Sequence, residues 1–106
     1  MKHETRDEGG SVVVAFEGDV DLQTSPAARE ALLSAVSQGK PVVVDLSSVG
    51  YIDSSGVASL VEALQGAKKG GQNLALAAVS EGALRVLKLA RLDAVFTIHD
   101  SVNDAL

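Results

Sequence analysis

The run Asp53-Ser54-Ser55-Gly56 puts a carboxylate, two hydroxyls and a glycine in four consecutive positions. Such a cluster can do two kinds of chemistry. A carboxylate or hydroxyl at a helix start accepts from the free backbone N–H groups of the first turn. A serine there can also carry a phosphate, whose charge of about −1.5 to −2 suits the positive end of the helix dipole. In the first reading Asp53 or Ser54 is a helix cap and Gly56 relieves crowding in the first turn. In the second, Ser55 is a phosphoacceptor whose charge the folded domain tolerates and a docked acidic or apolar partner surface does not. Asp19 and Asp21 lie close together and read either as a solvated turn or as an acidic rim for a partner. Asp45 ends an apolar run and reads as an acceptor for loop or helix N–H groups. Ser55, His99 and Asp100 supply the residue types of a hydrolytic triad, but no G-x-S-x-G elbow surrounds Ser55. Gly66 to Gly71, with Lys68 and Lys69, lacks the G-x-x-x-x-G-K-[ST] spacing of a phosphate loop and reads as a helix end.

The elements that must position these residues alternate. Met1–Gly10 is polar and reads as a frayed end or a short edge strand leading to a turn. Ser11–Phe16 is a β-branched run, nearly continuous in apolar residues, and predicts a strand buried on both faces. Glu17–Leu22 reads as a loop with a short strand within it. Ser25-Pro26 predicts a helix start with Ser25 as the cap, and Ala28, Ala31, Leu32, Ala35 and Val36 share one helical face before a stop at Gly39. Pro41–Leu46 predicts the second strand. A helix starting between Asp53 and Gly56 follows, with Val57, Leu60, Val61 and Leu64 at helical spacing, and Lys68-Lys69-Gly70-Gly71 closes it. Asn73–Val79 predicts a third strand. Ser80 caps a third helix with Leu84, Leu87 and Ala90 or Arg91 along one side; Ala94–Ile98 predicts a last strand, and Asp100–Leu106 a terminal helix.

Composition narrows the function classes. At 106 residues the chain is the size of one domain. It is 46% hydrophobic but only 3% aromatic, so the core is aliphatic and no base-stacking platform is available. Nine basic against fourteen acidic residues give −5, which disfavours a nucleic acid partner. Without cysteine and with only His3 and His99, the chain has no thiolate chemistry and too few soft ligands for a zinc site. No apolar run approaches the roughly 20 residues of a membrane span, and the polar start has no secretory h-region, so the sequence predicts a cytoplasmic protein with no direct membrane insertion.

Leu46-Ser47-Ser48-Val49-Gly50-Tyr51-Ile52-Asp53-Ser54-Ser55-Gly56 resembles the signature of the STAS domain, the anti-sigma factor antagonist family. Three more segments are similar to family features: Phe16–Asp21 to the entry into the first helix, Gly70–Leu74 to the glycine turn before a strand, and Arg85–Leu92 to a late helix. Arg91 stands where the family often has glycine. The resemblance implies an α/β fold: a single STAS-like domain over residues 1–106, with a mixed, mostly parallel sheet of about four to five strands and helices mainly on one side.

It also implies a binding switch with no catalytic residue or cofactor of its own. The unphosphorylated domain would bind an anti-sigma factor that is also a serine kinase of GHKL type. Phosphorylation at the second motif serine, here Ser55, would release it, and a phosphatase of PP2C type would reset it. Asp53 matches the motif aspartate needed for kinase recognition. Asp19, Asp21, Asp53, Ser54 and Gly56 would form the partner-binding surface. The rival within the same resemblance is a cytoplasmic accessory subunit of an ABC-type phospholipid transporter. The intact Asp53-Ser54-Ser55-Gly56 favours the switch, because transporter-associated members often lose the phosphorylatable serine. A ligand-sensing module is a third possibility, for which the few aromatics give no sign of a pocket.

Overall fold

The chain folds in nine elements, and the computed structural model describes residues 1–106. They run β1 (Lys2–Glu8), β2 (Ser11–Glu17), α1 (Ser25–Val36), β3 (Val42–Ser48), α2 (Ser54–Lys69), β4 (Leu74–Ala77), α3 (Glu81–Leu89), β5 (Thr97–His99) and α4 (Val102–Ala105). One five-stranded sheet has the order β1-β2-β3-β4-β5. β1 pairs antiparallel with β2 through a Gly9-Gly10 turn, and every later neighbour is parallel. The polar first residues therefore form an edge strand. Charged side chains along β1 suit an edge, where they discourage pairing with other chains.

Val12, Val13 and Val14 of β2 and Val42, Val43 and Val44 of β3 are all buried. Alternate residues point to opposite faces. Val12, Val14, Val42, Val44, Leu74 and Leu76 face one large core built with α1, α2 and α3, and Val13, Val43 and Ala77 form a small one under Val102 and Ala105 of α4. Helices thus cover mainly one side. Burial of each valine contributes about 1.5–3 kcal/mol relative to exposure.

Three local expectations are corrected. The residue preceding α1 is Thr24, with Ser25 buried inside the helix. Thr24 Oγ1 accepts from the Asp21 N–H at 2.9 Å and donates to the Asp19 carbonyl at 3.0 Å, so it ties the preceding loop rather than capping the helix. α3 buries Leu87 as expected, but its other buried residue is Ala83, with Val86 packed alongside, whereas Leu84 is only half-buried and Ala90 and Arg91 are exposed. Its entry from β4 sets that rotation: Ser80 is held against the β3–α2 loop, which turns Ala83 toward the core. The last strand starts at Thr97, because the Leu92 carbonyl accepts from the Val95 and Phe96 N–H groups and folds that stretch into a turn. Arg91, just beyond α3, has φ +60°. A left-handed residue at that place costs a non-glycine roughly 1 kcal/mol or more.

Candidate functional site

The loops after β2 and β3 meet at the C-terminal ends of the parallel strands, the end where α/β sheets present their sites. Val20 and Ile52 form an isolated parallel bridge. The Val20 N–H donates to the Tyr51 carbonyl at 2.9 Å, and the Asp53 N–H donates to the Val20 carbonyl at 3.1 Å. Val20, Val49 and Ile52 are buried, which anchors both loops. The segment carrying Asp19 and Asp21 is therefore fastened beside the start of α2.

Asp53 is the N-cap of α2, with extended backbone. Its Oδ1 accepts from the Ser55 N–H at 3.0 Å, the Gly56 N–H at 3.2 Å and the Ser55 hydroxyl at 2.6 Å. Its Oδ2 reaches across to the other loop and accepts from the Leu22 N–H at 3.1 Å. The Ser55 hydroxyl first, then the Gly56, Ser55 and Leu22 amides, hold the Asp53 carboxyl below the usual carboxylate range, outweighing desolvation. Ionised Asp53 thus orients Ser55 Oγ and fixes the helix start at once. Ser55 is half-buried and Ser54 is exposed.

Gly56 allows this geometry. A Cβ there would lie 2.7 Å from Ile52 Cγ1, 2.8 Å from Val20 Cγ1 and 3.0 Å from the Val20 carbonyl oxygen. On the far side, Ser80 caps α3 by accepting from the Ala83 N–H at 3.2 Å, and its hydroxyl donates to the Val49 carbonyl. Gly82 lies directly on Gly50, where a Cβ would overlap the Gly50 carbonyl oxygen. The β3–α2 loop is thus gripped from both sides.

The remaining candidates separate. Asp21 Oδ1 accepts from the Gln23 and Thr24 N–H groups, each at 3.0 Å, so its carboxylate shapes the turn into α1. The Asp19 side chain is exposed beside Gly50, with no recorded hydrogen bond of its own. Asp45 Oδ1 accepts from the Ser47 N–H at 2.9 Å, the structural role its sequence position suggested. Ser55 Oγ donates to Asp53, and His99 lies on edge strand β5 two strands away from β3, so no triad is assembled. Two residues were not singled out by sequence: Leu22 and Tyr51, 75% and 51% exposed, on the two loops that frame Ser55. The one available signal was an aromatic and a leucine placed among small polar residues in turn segments.

No cavity includes Asp53 or Ser55. The largest, about 570 Å³, lies toward the opposite end of the strands, lined by residues such as Pro41, Asn73 and Leu74. The site is a surface of acidic and apolar groups around one oriented hydroxyl. It is suited to a macromolecular partner rather than to an enclosed small substrate.

The STAS domain family model matches residues 2–105. The chain is 31% identical over 103 residues to the anti-sigma-F factor antagonist RsfB of Mycobacterium tuberculosis, covering 94% of this chain and 82% of that protein. It is 30% identical over 87 residues to the anti-sigma-B factor antagonist of Bacillus subtilis, covering 82% of this chain and 80% of that one. The crystal structure of an anti-sigma factor antagonist from Mycobacterium paratuberculosis has a TM-score of 0.89 and 28% identity, over 98% of this chain and 89% of that one.

Proposed function

The chain belongs to the STAS-domain family, and from that premise we propose that it is an anti-sigma factor antagonist switched by phosphorylation at Ser55. Unphosphorylated, it binds an anti-sigma factor that is also a serine kinase of GHKL type. In the transfer, Ser55 Oγ forms a bond to the γ-phosphorus of ATP held by that kinase. The bond from this phosphorus to the β–γ bridging oxygen breaks, ADP leaves with the electron pair, and the hydroxyl proton passes to a base of the kinase. The phosphorylated domain is released, and a phosphatase of PP2C type restores it. The domain itself performs no turnover.

The observation that carries this reading is the 2.6 Å hydrogen bond from Ser55 Oγ to ionised Asp53, at the capped start of α2. It presents one hydroxyl in a fixed orientation on an open surface. Asp19 and Ser54, with exposed Leu22 and Tyr51, supply the contact area around it. The folded domain accepts a phosphate there, because water and the helix dipole solvate the charge. A docked partner excludes that water, and the surrounding carboxylates raise the like-charge repulsion.

The test is to immobilise the chain, capture proteins from a lysate of its native cell and identify them. A GHKL-type kinase released on addition of ATP is the expected result. Capture of an ABC ATPase, with no release by ATP through Ser55, would move the chain to the transporter-subunit reading.

A further inference from the structure

Phosphorylation of Ser55 removes the proton that Oγ donates to Asp53 Oδ1, the shortest of the bonds that Asp53 accepts. A multiply charged group then stands against a carboxylate that four donors had held in place. Both groups compete for the same two amides, those of Ser55 and Gly56, at the positive end of α2. The phosphate is tethered at that end and carries the larger charge, which favours it over the carboxylate for those amides.

Asp53 has a second tie. Its Oδ2 is the only acceptor recorded for the Leu22 N–H, 31 residues earlier in the chain. Leu22 is also the most exposed large apolar residue of the site. We propose that Asp53 is a positioning residue that relays the phosphorylation state of Ser55 to Leu22: when Ser55 is esterified, Asp53 lets go of the Leu22 amide and the apolar side chain loses its fixed place. This inference rests on Ser55 being the phosphoacceptor. The change is local, because the Val20–Ile52 bridge and the Asp21 bonds to Gln23 and Thr24 do not involve Asp53 Oδ2. Release of a partner then comes from a displaced apolar contact as well as from charge.

The experiment uses the full chain with phosphoserine incorporated genetically at position 55, so that no kinase is needed. Amide exchange with water is measured by NMR in this form, in the unmodified protein, in Ser55→Ala and in Asp53→Asn. The expected result is Leu22 exchange at least tenfold faster in the phosphoserine form, with the amides of Val13 and Val43 unchanged. Asp53→Asn keeps one oxygen to cap α2 but can turn an NH₂ toward Leu22, and should also speed that exchange. Ser55→Ala leaves Asp53 in place, and Leu22 should stay protected. A Leu22 amide equally protected with and without phosphate overturns the relay, as does one already unprotected in the unmodified protein. Failure of the functional reading shows elsewhere, as a kinase that binds but transfers no phosphate to Ser55.

Discussion

α2 begins at the end of the β3–α2 loop and α3 begins packed on that same loop, and each start has a polar cap and a glycine in close contact with a neighbouring loop. Asp53 and Ser80 both accept from first-turn amides, and a methyl group would collide at both glycines, with the Ile52 and Val20 side chains at Gly56 and with the Gly50 carbonyl at Gly82. The difference lies in the remaining bonds. The Ser80 hydroxyl is used up between Ala83 and Val49, and it holds nothing that can react. Asp53 has two oxygens, and it orients a second hydroxyl and an amide of another loop. A cap and a tight glycine are thus ordinary structural devices. A site arises where the cap also holds a group that can be modified.

The largest effects should fail to distinguish the two starts. Gly56→Ala and Gly82→Ala should each destabilise the fold by about 1–3 kcal/mol through overpacking, offset in part by the better helix propensity of alanine. Gly82→Ala should be the worse, since its neighbour is a backbone carbonyl. Thermal unfolding checks this, and two unperturbed melting temperatures would mean that the grip on the β3–α2 loop is loose.

Binding should separate them. Ser55→Glu is expected to weaken the captured partner at least tenfold, about 1.4 kcal/mol, with little change in melting temperature. A first-turn carboxylate typically stabilises a helix by about 0.3–1 kcal/mol, against the lost bond to Asp53. A glutamate carries less charge than a phosphate, so the effect should fall short of full release. Ser80→Ala should do the reverse, lowering stability by about 1 kcal/mol and leaving affinity within twofold.

A smaller effect sharpens the contrast through pH. The Asp53 carboxyl titrates below its ordinary value, so its contribution is complete above the unfolded value of about pH 4 and is lost as pH falls through the lower folded value. The stability gap between wild type and Asp53→Asn should therefore close in acid, below about pH 4, as chemical denaturation at stepped pH would show. The gap between wild type and Ser80→Ala should persist through the same range. A constant Asp53 gap would mean that its ionised form has no special partners. Smallest of all, Arg91→Gly should raise stability by a few tenths of a kcal/mol, because relief of the left-handed strain is partly offset by the greater freedom of glycine in the unfolded chain. A loss of stability would show that the Arg91 side chain is worth more than its strain.

Much of the fold is legible in the chain. The valine runs at 12–14 and 42–44 identify central strands, because only strands buried on both faces lose the alternation of polar residues. The caps Asp53 and Ser80 are readable from residue type and position. What escapes depends on the neighbours an element meets. β1 is polar and forms because Ser11–Glu17 offers it an edge. The face of α3 is set by the tie from Ser80 to Val49, which no periodicity records. At the site, Asp53-Ser54-Ser55-Gly56 stands out in the sequence, whereas the bond from Leu22 to Asp53 spans 31 residues and appears only once the loops meet. Leu22 and Tyr51 are apolar by type yet face water, and only their place among small polar residues in turn segments hints at it.

The most direct measurement is a phosphate map of the protein after incubation with its captured kinase and ATP. Mass spectrometry should find one phosphate, on Ser55, and none in Ser55→Ala. Phosphate confined to Ser54, or uptake undiminished in Ser55→Ala, would contradict the assignment of Ser55 as the switch.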